Sequence, residues 1–527
     1  MIETQVKGQK SSKPTYAEGE AAGLRLIAAL ILLVAATAYA ATHVDGVQNG
    51  LAIMMAGCVG MYMAINIGAN DVANNVGAAV GSGALTMTGA LAIAVVFEAA
   101  GAFLAGGDVI NTISKGIIDP YAIPESDDFI WLMLSAVLGA AVWINIATFV
   151  GAPVSTTHSI VGSVLGAGLV AAGTGAVDWG VMGMIAASWV ISPVLGGVIA
   201  AAFLAFMKAK IVYREDKIAA ARTWVPVLVA IMGAVFAAYL MMKGLNKVWR
   251  PDMTTILAFS GAVFATLYMT VKPMVAVAAA RMRNTREDVS RLFTIPLIAA
   301  AALLCFAHGS NDVANAIGPL AAIVHAASNN GGVAASVSMP AWVLVIGAVG
   351  LSAGLALYGA KLVTTVGKEI TEIDRLRAFT VALSSAITVI VASAWALPVS
   401  STHIAIGAIM GVGFLREYLQ HEAEKVRAIR AVFDDKTEPR LFDTAKAEMA
   451  LRLSMMEKAL NDPPCERERL RYIELKQRAE SALQNGQRKQ LVGRSHLRRI
   501  VTAWLVTVPA TAVISSLIYL AVKGIVL

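Results

Sequence analysis

The sequence predicts an all-α polytopic membrane protein made of two inverted-topology repeats, each with a broken helix and a re-entrant hairpin. The predicted total is about nine spans plus two hairpins. Three observations support this fold class: long apolar blocks, motifs that occur twice in the same order, and an uneven distribution of lysine and arginine. Of the 527 residues, 57% are hydrophobic and 15% are charged, which is too apolar for an ordinary soluble domain.

The apolar residues form blocks that are long enough to cross a bilayer, which takes about 20 residues per helix. Because a backbone in lipid must satisfy its own hydrogen bonds, and because alternating barrel strands are absent, each block predicts a helix. The first block has no obvious cleavage site and is interpreted as a retained helix. The blocks cover residues 24–42, 51–68, 86–106, 129–150, 183–206, 224–243, 254–271, 292–307, 341–361, 379–397 and 500–522.

Two motifs occur once in each half of the chain. Residues 68–77 (GANDVANNVG) match residues 309–318 (GSNDVANAIG), and residues 153–158 (PVSTTH) match residues 398–403 (PVSSTH). A shorter echo links Thr112 and Lys115 to Thr365 and Lys368, and a tryptophan followed by proline closes each copy, at Trp189 and Trp504. Ordered matches of this kind indicate an internal duplication.

Lysine and arginine set the predicted orientation. Loops 208–222 and 272–291 carry five basic residues each, and segment 416–499 carries nineteen, so all three are placed in the cytoplasm. Segments on the same side of the membrane must be separated by an even number of bilayer crossings. This condition is met if 51–82 and 292–322 are interrupted spans and if 129–170 and 379–415 are hairpins. The acidic loop 107–128 falls outside. A single span between the copies inverts the second one.

The predicted organisation has six parts. They are a cytoplasmic tail (1–23), a first transmembrane repeat (24–207), a linker with one inverting span (208–253), the main part of the second repeat (254–415), a cytoplasmic helical insert (416–499) and the final helix (500–527). The insert could regulate the protein or form a homodimer, or it could be a passive cap.

Asp71 and Asp312 lie at the ends of apolar runs and beside several asparagines. An ionised carboxylate in a bilayer is costly, so these acids are candidate functional residues. Asn70 and Asn74 share a helix face from which Asp71 is rotated away. A helix break would bring the oxygens together, which suits hard cations such as sodium. The alternative is a pair of polar turns at the membrane surface.

The PVSTTH and PVSSTH strings predict hairpin tips within the membrane. Proline pushes its preceding residue out of helical geometry, and serine and threonine are strong N-caps. A helix N-terminus with hydroxyls can bind an anion without any basic residue. Ordinary caps at the bilayer surface are the alternative. His158 and His403 could carry protons, but a hydrogen-bond anchor for each tip is favoured.

Glu98 is an acid in mid-span with no acidic equivalent, because the corresponding residue of the second copy is Leu351. It could neutralise a cation or carry a proton, and is therefore a candidate for coupling. A carboxylic acid kept neutral by a neighbouring helix is an equally good interpretation.

Several function classes are excluded. The net charge of +7 lies mostly in loops, with acids interspersed and no aromatic platform, so no nucleic acid is expected. Cys58, Cys305 and Cys465 have no metal-ligand spacing. The chain shows no nucleotide loop and no nucleophile–base pair, so neither an enzyme nor a cofactor is expected.

At these motifs the sequence resembles the inorganic phosphate transporter family, PiT, whose mark is a duplicated Gly-x-Asn-Asp-x-Ala-Asn string. The resemblance covers roughly residues 50–210 and 290–415 and the final helix. It implies phosphate symport with sodium or protons, or transport of a metal–phosphate complex. It also implies cation ligation by Asn70, Asp71, Asn74, Asn311, Asp312 and Asn315, and phosphate contacts from Ser155, Thr156, Thr157, Ser400, Ser401 and Thr402.

Two points depart from that pattern. The family often carries its large hydrophilic insert between the halves, whereas here it lies inside the second copy, and some relatives carry sulfate. The expected function is secondary active import of inorganic phosphate with Na+ or H+ by alternating access, in the bacterial inner membrane and surrounded by lipid. A sulfate permease and an anion channel are the alternatives.

Overall fold

The computed structural model describes residues 16–526 except for a few short gaps. These gaps are 45–46, 48, 124, 151, 153, 245–248, 329–339, 370–373, 436, 438–442, 460–465 and 485–493. Most of the predicted tail, Pro153 of the first tip motif, and Cys465 therefore lie outside the described residues.

The described residues form seventeen α-helices and short 3-10 and π segments, including the π segment Thr112–Gly116. The helices are α1 (Tyr16–Ala41), α2 (Gly50–Gly81), α3 (Met87–Ala105), α4 (Gly107–Asn111), α5 (Ser126–Phe149), α6 (Thr156–Ala172), α7 (Trp179–Met207), α8 (Lys217–Tyr239), α9 (Met253–Ala279), α10 (Arg286–Leu292), α11 (Thr294–Ser328), α12 (Ala341–Glu369), α13 (Arg375–Ala394), α14 (Ser401–Val432), α15 (Ala445–Ala459), α16 (Glu466–Gln484) and α17 (Arg494–Val526).

The protein is a polytopic membrane protein, as the apolar blocks predict. Eleven helices of the described chain are long and apolar enough to cross a bilayer. Two of the eleven, α5 and α13, are the first arms of the two predicted hairpins. Each is followed by a helix that begins at a tip motif, α6 at Thr156 and α14 at Ser401.

The predicted helix breaks are wrong. The spans expected to be interrupted are the continuous helices α2, of 32 residues, and α11, of 35 residues. The prediction assumed that polar residues on different faces need a break in order to meet. Both helices instead lie deep in the protein, so each face meets a different polar neighbour, and an unbroken backbone keeps all of its own hydrogen bonds.

The two halves pack through equivalent close crossings. Gly68 of α2 lies against the carbonyl oxygen of Leu351 in α12, where an added Cβ would sit 2.0 Å away. Gly309 of α11 lies in the same way against the carbonyl oxygen of Glu98 in α3, at 2.1 Å. These contacts join equivalent positions of the two copies, so the duplication extends to the packing. The inverted relation of the copies stays a prediction.

The insert consists of a long extension of α14 with α15 and α16 packed on it. Arg430 donates to Asp443 and to Glu448, both at 2.9 Å, and Arg452 donates to Glu448 at 2.9 Å. The hydrogen bond from Arg430 holds the pKa of the Glu448 carboxyl below its usual value. This cluster fastens the helices of the insert to one another.

The charge pattern predicts that Tyr121, in loop 107–128, faces the periplasm. Its side chain is 69% exposed. In intact spheroplasts, a Tyr121→Cys variant should react with an impermeant thiol reagent. The wild-type chain, with Cys58 half-buried, Cys305 buried and Cys465 in the insert, should react only after permeabilisation. Labelling of the wild type in intact spheroplasts, with no additional labelling of the variant, would reverse the orientation.

Candidate functional site

Two hairpin tips and two buried carboxylates meet in the middle of the molecule. Ser155 caps α6 by accepting a hydrogen bond from the backbone N–H of His158 at 3.1 Å, and Ser400 caps α14 by accepting one from His403 at 3.3 Å. Serine is a strong N-cap for this reason. The predicted caps are therefore present, and they lie against α2 and α11, not at the surface of the protein.

Each carboxylate holds the tip of its own half. The Thr156 hydroxyl donates to Asp71 Oδ2 at 2.9 Å, and the Ser401 hydroxyl donates to Asp312 Oδ2 at 2.9 Å. Both carboxylates are almost completely excluded from solvent. The two bonds join equivalent residues of the two copies, so the same contact is made twice.

Each asparagine that lies three positions after a carboxylate reaches across to the other half. Asn74 donates to Thr402 Oγ1 at 2.8 Å, and Asn315 donates to Thr157 Oγ1 at 3.1 Å. Thr402 in turn donates to Asp71 Oδ1 at 3.1 Å. The carboxylate of Asp71 therefore receives a hydroxyl from each of the two tips, and the four motifs form a single centre.

Asn70 and Asn311 contact the hairpins near their turns. The Asn311 amide donates to Ser393 Oγ at 2.8 Å and to the Leu397 carbonyl at 3.1 Å, and its oxygen accepts from the Val399 N–H at 3.2 Å. Asn70 is 2.9 Å from Thr148, the equivalent of Ser393. These two asparagines act as braces between a long helix and a hairpin. Their predicted role as cation ligands stays a prediction.

His308 is a site residue that the sequence reasoning missed. Its Nε2 lies 2.8 Å from Asp312 Oδ2 and 3.9 Å from Asp71 Oδ2, and the side chain is fully buried. The equivalent residue of the first copy is Ile67, so comparison of the repeats did not select it. The rule that intramembrane ionisable residues are functional candidates applies to it directly and would have found it.

Glu98 contacts the same cluster from α3. Its Oε1 accepts from Asn75 Nδ2 at 2.7 Å and lies 3.3 Å from His308 Nδ1. At the equivalent crossing of α12 and α2, the residues corresponding to Glu98 and His308 are the apolar Leu351 and Ile67. The crossing of α3 and α11 thus carries a polar pair, whereas the equivalent crossing of α12 and α2 carries an apolar pair. A coupling role for Glu98 stays a prediction.

The oxygen atoms at the centre, as distinct from the imidazole nitrogen of His308, are suited to a small hard cation. One ligand atom each from Asp71, His308 and Asp312 lies within 4.8 Å of the others. Carboxylate, amide and hydroxyl oxygens surround them, and such oxygens are the preferred ligands of sodium-like and alkaline-earth cations. The two carboxylates face each other across His308 and provide the negative charge that a desolvated cation needs.

His158 and His403 do not anchor their tips through ring hydrogen bonds, so the favoured interpretation from the sequence is wrong. Within the described chain, the ring nitrogens of both residues have no hydrogen-bond partner. The rings pack instead: His158 is 3.8 Å from Trp189 and 4.4 Å from His403, and His403 is 3.5 Å from Trp504, between ring centroids. A continuous chain of edge-to-face and tilted ring contacts thus joins the two tips.

Comparison with known proteins identifies the family of the chain. A sequence profile described as the phosphate transporter family (PHO4) matches residues 67–515. The chain belongs to the phosphate transporter family. The matched range contains both Asn-Asp motifs, both tip motifs and the insert.

Individual members of the phosphate transporter family show how far the similarity extends. A protein of Helicobacter pylori (strain J99) named "Putative phosphate permease" is 44% identical over 512 residues, which cover 94% of this chain and 95% of the relative. A protein of the same name from Haemophilus influenzae is 39% identical over 68% of this chain and 86% of its own length. A solved structure titled "The sodium-dependent phosphate transporter" has a TM-score of 0.74 at 30% identity and covers 90% of this chain and 100% of its own.

Proposed function

We propose that this member of the phosphate transporter family is a secondary active symporter that imports inorganic phosphate with cations, Na+ or H+, by alternating access. The observation that carries the proposal is the Asp71 carboxylate, which accepts hydroxyl bonds from Thr156 of one tip and Thr402 of the other. A single buried charge thus touches both halves of the candidate anion site. The bacterial inner membrane is the proposed location.

The hydroxyls provide the link between cation and anion. Thr156, Ser401 and Thr402 now donate their protons to Asp71 or Asp312. A cation that coordinates these carboxylates would compete with the hydroxyls for part of their lone pairs, so that hydroxyl protons become available to an incoming anion. Cation binding would therefore prepare the phosphate site, and the positive charge would offset the charge of the anion.

The anion would be held without a lysine or an arginine. The tip sequences 153–158 and 398–403 contain no lysine or arginine. Affinity would come from hydroxyls, from the backbone N–H groups of the first turns of α6 and α14, and from the bound cations. Ser155 and Ser400 are already engaged as N-caps and would orient those turns.

Alternating access would require the crossed bonds between the halves to break and re-form. The bonds from Asn74 to Thr402 and from Asn315 to Thr157 are of this kind, since each joins one copy's long helix to the other copy's tip. A channel would need no such paired acids at its anion site, and this disfavours a channel. A sulfate permease would use the same hydroxyls and has to be separated by experiment.

Phosphate and arsenate should compete for uptake, and sulfate should compete poorly. Phosphate keeps a proton near neutral pH, and a carboxylate of Asp71 or Asp312 can accept it, whereas sulfate would leave such an acceptor facing a bare oxygen. The measurement is uptake of radiolabelled phosphate into liposomes under imposed sodium or proton gradients, which also identifies the cation. Sulfate that competes as well as arsenate would assign the protein to sulfate transport.

Thr402→Val and Thr157→Val should each weaken phosphate binding by about 1–3 kcal/mol, because each removes one buried hydroxyl partner. Thr270→Val is the matched control, since within the described residues its hydroxyl bonds to carbonyls of its own helix, those of Thr266 and Leu267. Binding is measured by isothermal titration on the purified full chain. Unchanged phosphate affinity in both tip variants would show that these hydroxyls do not contact phosphate.

A further inference from the structure

A polar cavity lies at the C-terminal end of α2, beyond Asp71. It has a volume of about 500 Å³ and is lined by the C-terminal end of α2, by α10 and by the first turn of α13. Three arginines line it: Arg286, Arg291 and Arg375. Loop 272–291, which leads into it, is one of the basic loops that the charge pattern places in the cytoplasm.

Two hydrogen bonds fix the position of the Arg375 side chain at the cavity. Its guanidinium donates to Thr294 Oγ1 at 2.9 Å and to the Gly83 carbonyl at 3.1 Å. These partners are neutral, so they fix the direction of the side chain without cancelling its charge. A guanidinium has five N–H donors in a planar fork, and this fork matches the oxygens of a phosphate group.

The acids at the cavity are shared among several basic groups. Asp374 pairs with Arg286 at 3.1 Å and with Arg377 at 3.5 Å, and it also caps α13. Arg291 pairs with Glu287 at 3.1 Å and with Asp288 at 3.4 Å. Lys208, which directly follows α7, adds a further positive charge, and this charge repels that of Arg286. The cavity therefore keeps an excess of positive charge.

The cavity is connected to the candidate transport site by continuous helices. Gly81, the last residue of α2, lies ten residues after Asp71, or about 15 Å along the helix. Helix α13 runs from Arg375 at the cavity to the turn of the second hairpin. An anion released from the tips toward the cytoplasm would meet this positive field on its way out.

We infer that this cavity binds a tetrahedral phosphate group through Arg375, Arg286 and Arg291. The group comes either from inorganic phosphate at the cytoplasmic mouth or from the headgroup of an anionic lipid, since basic pockets between spans on this side recognise such headgroups. The inorganic source rests on the proposed function, whereas the lipid source does not.

The experiment uses the full chain in nanodiscs of phosphatidylcholine, with an Asp71→Asn background to remove the tip site. One arm titrates radiolabelled inorganic phosphate, and the other adds phosphatidylglycerol and counts retained lipid by native mass spectrometry. Arg375→Gln should weaken binding about tenfold in at least one arm, because a charge-assisted bond is lost. High salt should weaken it as well, since the cavity is open to solvent.

Ser290→Glu is the second variant, because it adds a negative charge to the cavity wall without removing the bonds by which Arg375 holds three segments together. Arg283→Gln is the matched control: this exposed arginine lies in the same loop and does not line the cavity. Weaker binding by the cavity variants in the phosphate arm identifies a release site for phosphate. Weaker binding in the lipid arm identifies a site for a lipid headgroup.

If Arg375→Gln and Ser290→Glu both bind phosphate and phosphatidylglycerol as the Arg283→Gln control does, the inference is overturned. That failure is distinct from a failure of the proposed function. In the first case, gradient-driven uptake by the wild type persists while the cavity variants bind normally. In the second, uptake is absent while the cavity still binds.

Discussion

Replacing Asp71 or Asp312 by asparagine should abolish gradient-driven phosphate uptake. Asparagine keeps the size of the side chain but removes the negative charge and replaces one acceptor oxygen by an N–H donor. Both carboxylates are buried, so a cation that enters their site loses its water and depends on that charge. Loss of one partner of a buried charge pair costs roughly 3–5 kcal/mol, which corresponds to a decrease in uptake of about hundredfold or more.

The measurement compares initial uptake rates in liposomes that contain equal amounts of inserted protein. Asp178→Asn is the matched control, because Asp178 caps α7 by accepting from the Val181 N–H at 2.9 Å, and asparagine caps helices equally well. Thermal unfolding of each variant shows whether the fold is kept. Normal uptake in both Asp71→Asn and Asp312→Asn would make these acids structural caps and refute the mechanism.

Gly309→Ala should destabilise the whole protein. The new Cβ would sit 2.1 Å from the carbonyl oxygen of Glu98, and a backbone oxygen in a packed helix cannot turn aside. Helices α11 and α3 would have to separate, which disturbs the contact between Glu98 and His308. Overpacking against backbone should cost about 3 kcal/mol or more. We expect little monodisperse protein after extraction and a lower midpoint of thermal unfolding.

Gly261→Ala provides the control for this substitution. Gly261 lies in α9 with nothing within 4 Å of its added Cβ, and alanine is the better helix former. This variant should unfold at or slightly above the wild-type temperature. Equal stability of the Gly309→Ala and Gly261→Ala proteins would mean that the crossing of α11 and α3 is looser than described.

Much of the fold could be predicted because bilayer crossing and duplication leave local signals. The apolar blocks identify the spans, and the repeated PVSTTH and PVSSTH strings identify the helices that begin at Thr156 and Ser401. The meeting of the Asn-Asp motifs with the tips comes from the structure, in which Thr156 and Thr402 both donate to Asp71. Apolar blocks and repeated strings are patterns of residues that are close in the sequence, so they can be identified without knowledge of the contacts between helices.

The errors concern properties that depend on the surroundings of a helix. Whether Asn70 and Asp71 need a broken helix depends on what lies on each side of α2, and no local pattern encodes a neighbour such as Thr148 or Thr402. The same holds for His158, whose ring meets Trp189 and not a hydrogen-bond acceptor. His308 was missed for a different reason: comparison of the repeats favours residues that occur twice, and this one occurs once.

Helix α14 begins at the tip residue Ser401 and continues for 32 residues, without a proline, to Val432. A helix of that length is a stiff rod of about 48 Å, so a tilt of about 10° at the tip would move its far end by about 8 Å. The far end carries Arg430, to which Asp443 and Glu448 are bound, so α15 would move with it. The length of α14 thus turns a small rearrangement inside the membrane into a larger movement of α15. Fluorophores placed on α15 and on a transmembrane helix that does not move would report this movement as a distance change in single molecules.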